Sequence, residues 1–204
     1  MWESEVDYRK IQGKTKSPNL YFVGPSSKTA YEEAYLQLTN NSTTRSTIVY
    51  DITGRTIPIP SASIEHRVAR FTFHDLCRTN RGAADYVAIV QQFHTIFIEN
   101  IPLLDRNDFN AVRRFIVLID SAYEGRVRLI VHAASIPGEL YQVDLGNKHS
   151  DEAFAFDRTR SRLEEMGSDD YLKRRWIGNI ENQEKSGGGD DVAGGGEVEK
   201  VMCN

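Results

Sequence analysis

Two short segments carry the glycine, lysine and threonine residues that a phosphate-binding loop uses. Gly13-Lys14-Thr15 and the segment from Gly24 to Thr29 both end in Lys-Thr, as the pattern G-x-x-x-x-G-K-[ST] does. In that pattern the glycines let backbone N–H groups surround the phosphates, and the lysine reaches the outer phosphates. Tyr8 takes the first glycine position of one segment, and Phe22 and Ser27 take both glycine positions of the other. Neither segment follows a convincing buried strand and opens a helix, so neither predicts a phosphate-binding loop.

Side chains that could hold a metal or act as nucleophiles are also present. Glu99 and Asp120 each follow an apolar run, as the magnesium-binding acid of an ATPase does. The run before Asp120 has helical periodicity, which predicts a solvated helix residue, and Glu99 lacks a phosphate loop beside it. His74 and Cys77 are three residues apart, but a cysteine nucleophile also needs an orienting group, so we interpret Cys77 as a core residue. The other histidines show no ligand spacing: His66, His94, His132 and His149. No catalytic residue and no metal site is predicted.

Arginines form the remaining set of candidates. Residues 154–166 have helical periodicity, and Arg158 and Arg162 lie four apart on this helix with like charge. Arg158 has no well-placed acid on its own helix. One interpretation is a long-range ion pair or simple solvation, and the other is a guanidinium directed at a phosphate or at a neighbouring subunit. Arg158 and Arg114 are therefore the candidate cofactor-binding residues.

Composition restricts the class of protein. The chain has 204 residues, of which 40% are hydrophobic and 26% charged, and its net charge is −4. Six acids and two bases fall in residues 181–204, so the rest of the chain is neutral and gives no support to a nucleic-acid partner. No apolar run is long enough to span a membrane, and two cysteines exclude a disulfide scaffold. The Gly- and Asp-rich residues 182–204 are predicted to be a disordered acidic tail.

The elements that must position these side chains fall into three regions. Residues 1–46 include a predicted surface helix from Lys28 to Thr39, with Ala30, Ala34, Tyr35 and Leu38 at helical spacing. Residues 47–80 alternate with period two and predict a small antiparallel unit, a hairpin followed by a third strand. Since Pro58 and Pro60 cannot donate to a ladder, the second strand of the hairpin is predicted at a sheet edge.

Residues 81–181 are predicted to be α/β with C-terminal helices. A helix from Asp85 is followed by a buried strand, a long helix capped by Asn107 or Asp108, and a strand from Val127. Gly125 closes the long helix where a left-handed residue is expected. Strand, helix and strand in this order predict a parallel crossover unit. The inward face of the long helix is predicted as Val112, Phe115, Ile116, Ile119 and Tyr123.

The long helix is also apolar on a second side. Val117 and Leu118 lie roughly opposite the predicted inward face. Such a helix is packed between two layers, or against a structure that these 204 residues lack. We favour the second alternative, which makes Val117 and Leu118 a docking surface for that missing structure, with Arg114 beside it as a polar anchor.

Seven blocks, in this order and spacing, resemble the C-terminal half of the "ATPase family gene one" proteins over about residues 7–176. The blocks are Asp7-Tyr8-Arg9; Arg70 to Cys77; Gly82 to Tyr86; Phe93 to Ile98 with Ile101-Pro102; Ala111 to Asp120 with Tyr123; Val127 to Ser135; and Phe154 to Met166 with Asp170-Tyr171-Leu172.

The resemblance implies an AAA-type P-loop fold, ATP hydrolysis with Mg²⁺, and ring-shaped homo-oligomers. For eukaryotic members it also implies mitochondrial quality control of respiratory-chain proteins, on the periphery of the inner membrane; bacterial members are cytoplasmic. In the family, the phosphate loop, the magnesium-binding acid, the sensor and the arginine finger precede the Asp-Tyr-Arg motif. We therefore expect an incomplete ATPase here, inactive alone and without a cofactor of its own.

Two function classes follow from the resemblance. The chain is either the accessory part of an ATPase, which contacts the ATPase core, neighbouring subunits and protein substrates, or a stand-alone, non-catalytic interaction module derived from that family.

Overall fold

The computed structural model describes residues 20–142 and 151–178. The strands in these ranges are β1 (Tyr21–Val23), β2 (Arg45–Tyr50), β3 (Thr56–Ser63), β4 (Val68–Thr72), β5 (Thr95–Ile101) and β6 (Arg128–Ala133). The helices are α1 (Lys28–Leu38), α2 (Ala83–Gln92), α3 (Phe109–Glu124), α4 (Asp151–Met166) and α5 (Asp169–Leu172). A π-helical turn spans His74–Arg78, and 3₁₀ turns span Pro25–Ser27, Arg106–Asp108 and Pro137–Glu139. Asp7-Tyr8-Arg9, Lys14 and the predicted disordered tail 182–204 lie outside the described residues.

The six strands form one mixed sheet in the order β1-β6-β5-β4-β3-β2. The first four strands in this order are parallel, and β3 and β2 run antiparallel to their neighbours. The predicted crossover is confirmed, because β5 and β6 are adjacent and parallel and α3 connects them. The predicted hairpin is also confirmed as β2 and β3, and it continues the same sheet through β4.

The prediction that the proline-bearing strand lies at an edge is wrong, because β2 is the edge strand and β3 lies between β2 and β4. Both prolines nevertheless lie where β4 needs no N–H donor from β3. β4 pairs only with residues 61–63 of β3, whereas Pro58 and Pro60 lie in the part of β3 beyond that pairing. Their missing N–H groups therefore remove no bond from the β3–β4 ladder.

Helices cover the sheet on both faces. Ile96 and Ile98 of β5 pack in the large core with α2 and α3, whereas Phe97 points the other way and packs with α1. The alternation follows from the strand's period of two. On α1, the buried residues are Tyr31, Ala34, Tyr35 and Leu38, while Ala30 is exposed, so the predicted helix is confirmed with its buried face slightly rotated.

The predicted docking face of α3 is wrong for Leu118, which is 0% exposed and belongs to the protein's own core. Successive helix residues are 100° apart, so Leu118 lies beside Ala111 and Ala122, both buried, and not on the side of Val117. Val117 is 36% exposed. The predicted inward residues are buried, apart from the half-buried Tyr123, and α4 packs against α3. The helix is therefore packed between layers, which is the alternative we favoured less.

The predicted N-cap of α3 is confirmed in position as Asp108, although its side chain makes no capping hydrogen bond, and the predicted left-handed glycine at the other end of α3 is wrong. The Asp105 side chain accepts a hydrogen bond of 2.9 Å from the Asn107 N–H and caps the 3₁₀ turn that leads into the helix. Gly125 has φ −71°, and the left-handed residue is Arg126, with φ 53°. A Cβ at Gly125 would lie 3.2 Å from the Val90 side chain, so glycine serves here for the close approach of α2.

Candidate functional site

The segment Gly24 to Thr29 lies between a strand and a helix, but the strand is the three-residue edge strand β1, in which only Phe22 is buried, so the prediction that no convincing buried strand precedes it is confirmed. It follows β1, and α1 begins at Lys28. Lys28 is not available to a phosphate, because its ammonium binds the Glu99 carboxylate and lies 3.1 Å from Glu32. Its nitrogen also lies 5.0 Å from the centre of the Tyr31 ring. The segment therefore has a strand before it and a helix after it, but its lysine takes part in ion pairs within the protein.

Those ion pairs belong to a four-residue set, Lys28, Glu32, Arg70 and Glu99, which we term the Arg70 cluster. Arg70 on β4 donates two hydrogen bonds of 2.6 Å to Glu32 on α1. It donates two more to Glu99 on β5, at 3.1 Å from Nε and 3.0 Å from Nη2. This forked arrangement is the strongest form of carboxylate binding by arginine. The cluster thus joins α1 to two central strands.

In the Arg70 cluster, burial and ion pairing shift the carboxyl pKa values in opposite directions. Burial raises the pKa of the Glu32 and Glu99 carboxyls, but hydrogen bonds from Arg70 and Lys28 outweigh it and hold each pKa below its usual value. Both groups are therefore carboxylates at neutral pH, and two positive and two negative charges cancel. The cluster thus meets the requirement that partly buried charges be paired, and it leaves no net charge for a ligand.

Glu99 and Asp120, the two candidate magnesium ligands, are both in ion pairs. Glu99 is held by the Arg70 cluster. Asp120 lies on α3, as predicted, but it binds Arg162 of α4 and is not simply solvated. No group of three or more His, Cys, Asp or Glu residues within the described ranges could hold a metal ion.

The environments of His74 and Cys77 do not suit a nucleophile pair. Cys77 is fully buried and His74 is exposed, so the two side chains lie in different environments. Burial raises the pKa of the Cys77 thiol, which disfavours the thiolate that a nucleophile requires. The interpretation of Cys77 as a core residue is confirmed.

Arg114 and Arg158, the two candidate cofactor-binding residues, lie on different helices. Arg114 on α3 donates a hydrogen bond of 3.3 Å to the Cys77 carbonyl, at the end of the π-helical turn. Arg158 is exposed on α4, and no hydrogen bond or ion pair links it to another residue in ranges 20–142 and 151–178. Arg162, four residues on, forms ion pairs with Asp120 and Glu124 of α3. Arg114 and Arg158 share no hydrogen-bond or ion-pair partner among the described residues.

A groove of about 800 Å³ lies between the β2–β3 hairpin and the loop before α2. Its floor includes Asp85, which is 2% exposed and accepts a 2.8 Å hydrogen bond from the Gly82 N–H. Arg81 donates to the Asp75 and Pro58 carbonyls, at 2.7 and 2.8 Å, and Arg55 donates to the Asn80 carbonyl. Both arginines thus fasten the hairpin to the body of the protein and are not directed at open space.

Sequence reasoning missed the Arg70 cluster and the arginines of the groove. Arg70 occupies an inward position of the alternating strand β4, on the face that packs with α1. A charged residue at an inward position requires a partner, and this was the available signal. The partner itself, Glu32, is 38 residues away, and nothing local identifies it.

No helix within the described part of the chain is long and apolar enough to cross a membrane.

Comparison with known proteins gives one matching family model and several relatives. A family model described as AFG1-like ATPase matches residues 2–175. The cell division protein ZapE of Escherichia coli is 37% identical over 120 residues, which are 59% of this chain and 30% of that protein. An uncharacterized protein of Schizosaccharomyces pombe is 29% identical over 198 residues, 86% of this chain and 42% of that protein. Lactation elevated protein 1 homolog B of Danio rerio is 28% identical over 211 residues, covering 89% and 40%. No solved structure gave a significant match.

The chain therefore spans less than half the length of these curated relatives.

Proposed function

Because the chain belongs to the AFG1-like ATPase family, we propose that it is the C-terminal, accessory part of a P-loop ATPase whose ATP- and Mg²⁺-binding residues lie outside these 204 residues. The family model covers most of the chain and supports ATPase function for the protein to which the chain belongs.

The observation that carries the proposal is the pairing of Lys28. The segment from Gly24 to Thr29 lies between the short edge strand β1 and helix α1. Its lysine is nevertheless bound to Glu99 and Glu32, and the glycine positions of the pattern are Phe22 and Ser27. Displacing two carboxylates from Lys28 would leave Glu99 partly buried with less compensation, which opposes nucleotide binding at this position.

In this proposal the described region supplies an accessory α/β layer to a nucleotide-binding core. Its partners are that core, neighbouring subunits of an oligomer, and protein substrates. For a eukaryotic source we extend the proposal to mitochondrial protein quality control, and for a bacterial source to the cytoplasm.

Reading the genomic DNA upstream of the Met1 codon tests the proposal at little cost. The expected result is an in-frame segment that encodes G-x-x-x-x-G-K-[ST]. An in-frame stop codon with no such segment would contradict the proposal and favour a stand-alone interaction module.

Hydrolysis by the full-length product supplies the biochemical test. Replacing the lysine of the upstream loop by alanine is expected to abolish ATP hydrolysis, whereas Lys28→Gln is the matched control and should retain at least half of it. If Lys28→Gln also abolishes hydrolysis in a folded protein, Lys28 acts on nucleotide and the proposal is wrong.

A further inference from the structure

The outer edge of β2 carries backbone groups that no described residue binds. Within residues 20–142 and 151–178, β2 pairs only with β3. The Asp51 N–H donates to the Arg55 carbonyl at 3.1 Å, which identifies the odd-numbered residues here as those bonded to the partner strand. Ile48 lies opposite Pro58, which has no N–H, in agreement with this alternation. Ser46, Ile48 and Tyr50 therefore direct their N–H and C=O groups away from β3.

The side chains at this edge are apolar and exposed. Ile48 is 54% exposed and Tyr50 is 64% exposed. They share a face of the sheet with the exposed Pro58, because Ile57 and Ile59 on either side of Pro58 point into the core. Charged residues, prolines and bulges usually protect an edge strand in a stable monomer. The shift in register between β2 and β3 lies at the start of β2, between Arg45 and Thr47, and residues 47–50 contain no charged residue or proline. The edge is thus suited to pair with another strand.

The charged residues at the two ends of β2 indicate which strand would pair with its outer edge. Arg45, at the start, has no ion pair in the described part of the chain. Asp51, just after the end, accepts its three hydrogen bonds through Oδ1 alone, from Thr53 and Arg55. An acid and a base therefore lie three residues to either side of Ile48, each able to take a further partner.

We propose that the β2 edge pairs with the β2 edge of a second copy of this chain, antiparallel about a twofold axis at Ile48. In this register Ile48 lies opposite its own copy, and Ser46 lies opposite Tyr50. These are the residues whose backbone groups face outward, so each pair can exchange two hydrogen bonds. Arg45 lies opposite Asp51 of the second copy, twice by symmetry.

Neighbouring registers fit less well. An axis at Ser46 places Arg45 opposite Thr47 and leaves both charges unpaired. An axis at Tyr50 places residues 45–49 opposite residues 51–55, where the chain turns back towards β3, so β2 would have almost no strand to pair with. An axis at an odd-numbered residue would bring together backbone groups that already bond to β3. Of these registers, only the axis at Ile48 both pairs the outward-facing backbone groups and places Arg45 opposite Asp51.

Sedimentation equilibrium of the full chain tests whether the dimer exists. The expected mass is twice the monomer's 23.1 kDa at high protein concentration. Ile48→Lys places two ammonium groups together at the axis and should weaken dimerisation at least tenfold. Ile64→Lys is the matched control, because Ile64 is 51% exposed in the turn between β3 and β4 and should leave the dimer unchanged.

Cysteine cross-linking tests the register, in a Cys203→Ser background where the remaining Cys77 is buried. Ile48→Cys should form a disulfide-linked dimer on mild oxidation, because directly opposed residues have Cα atoms about 5.5 Å apart. Ser46→Cys should not, since two Ser46 residues would lie roughly 14 Å apart across the axis, four residues at about 3.4 Å each. The double variant Ser46→Cys with Tyr50→Cys should cross-link again.

Three results would overturn the proposal. One is a monomer at every concentration with no cross-link from Ile48→Cys. Another is a dimer in which Ser46→Cys cross-links as readily as Ile48→Cys. The third is a monomer whose Ser46, Ile48 and Tyr50 amides resist hydrogen exchange, which means that another part of the same chain covers the edge. None of these results bears on nucleotide binding, so they are distinguishable from a failure of the proposed function.

Discussion

Arg70 and Glu32 are joined by two parallel hydrogen bonds of 2.6 Å across the interface between β4 and α1. The same guanidinium lies 5.1 Å from the centre of the Tyr35 ring and 5.6 Å from that of Tyr31. It also donates to Glu99 on β5. Because α1 also buries Tyr31, Ala34, Tyr35 and Leu38 in the smaller core, these contacts add a charged attachment of α1 to the sheet.

Replacing Arg70 should therefore destabilise the fold. Arg70→Met removes four charge-assisted hydrogen bonds and leaves two carboxylates with Lys28 alone, and we expect a loss of about 2–3 kcal/mol in the free energy of unfolding. Arg158→Met is the matched control, since exposed Arg158 has no partner in the described ranges, and its effect should stay within about 0.5 kcal/mol. Urea denaturation measures both. Equal losses in the two variants would show that Arg70 contributes no more to the free energy of unfolding than an exposed arginine does.

Adjacent residues on α3 provide a second matched pair. Leu118→Ala removes a fully buried side chain and should cost about 2–5 kcal/mol, whereas Val117→Ala on the exposed side should stay within about 0.5 kcal/mol. Thermal or urea unfolding of the two variants distinguishes core from surface. A stable Leu118→Ala variant that loses an interaction partner would restore the docking surface inferred from the sequence.

The contrast between these two residues shows what local pattern can and cannot predict. The helical period placed Val112, Phe115 and Ile119 on the buried face correctly, since those positions repeat along one side of α3. Leu118 lies at the margin of that face, where burial depends on how other helices pack. Periodicity within one helix carries no information about neighbours that are distant in sequence.

The sheet shows the same limit. Alternation predicted the hairpin, and the β5-α3-β6 order predicted parallel strands, because both are local in sequence. The position of β1 beside β6 was not predictable, since Tyr21 pairs with Val131, more than a hundred residues away. Pro58 was assigned to an edge strand by a general rule, but the short length of β4 allowed β3 to lie inside the sheet.

Gly125 makes a third prediction possible. A Cβ there would lie 3.2 Å from the Ser121 carbonyl oxygen and from Val90, so Gly125→Ala should push α2 from α3 and cost about 1–3 kcal/mol. Gly82→Ala is the control, because a Cβ at Gly82 meets nothing within 4 Å and should be nearly neutral. Unfolding curves of the two variants test this. If both alanines are tolerated equally, the helices are not in close contact at Gly125.

His94 gives a prediction on pH. Burial lowers the pKa of His94 from 6.5 to about 4, and the ring packs 6.1 Å from Trp176. Between about pH 4 and pH 6.5, His94 therefore binds a proton more readily in the unfolded chain than in the folded chain. Its contribution to stability is present above pH 6.5 and is lost as the pH falls towards 4. The melting temperature should fall less steeply over this range in His94→Asn than in the wild type, and parallel curves would contradict the prediction.

Titration of the 204-residue chain with a fluorescent ATP analogue and Mg²⁺ tests most directly whether it binds nucleotide by itself. We expect no saturable binding, because Lys28 is held by Glu99 and Glu32 and the glycine spacing fails at both candidate loops. Lys28→Ala and Lys14→Ala should therefore titrate like the wild type. Micromolar binding by the wild type, abolished by either substitution in a folded protein, would contradict the assignment of this chain as a non-nucleotide-binding part of an ATPase.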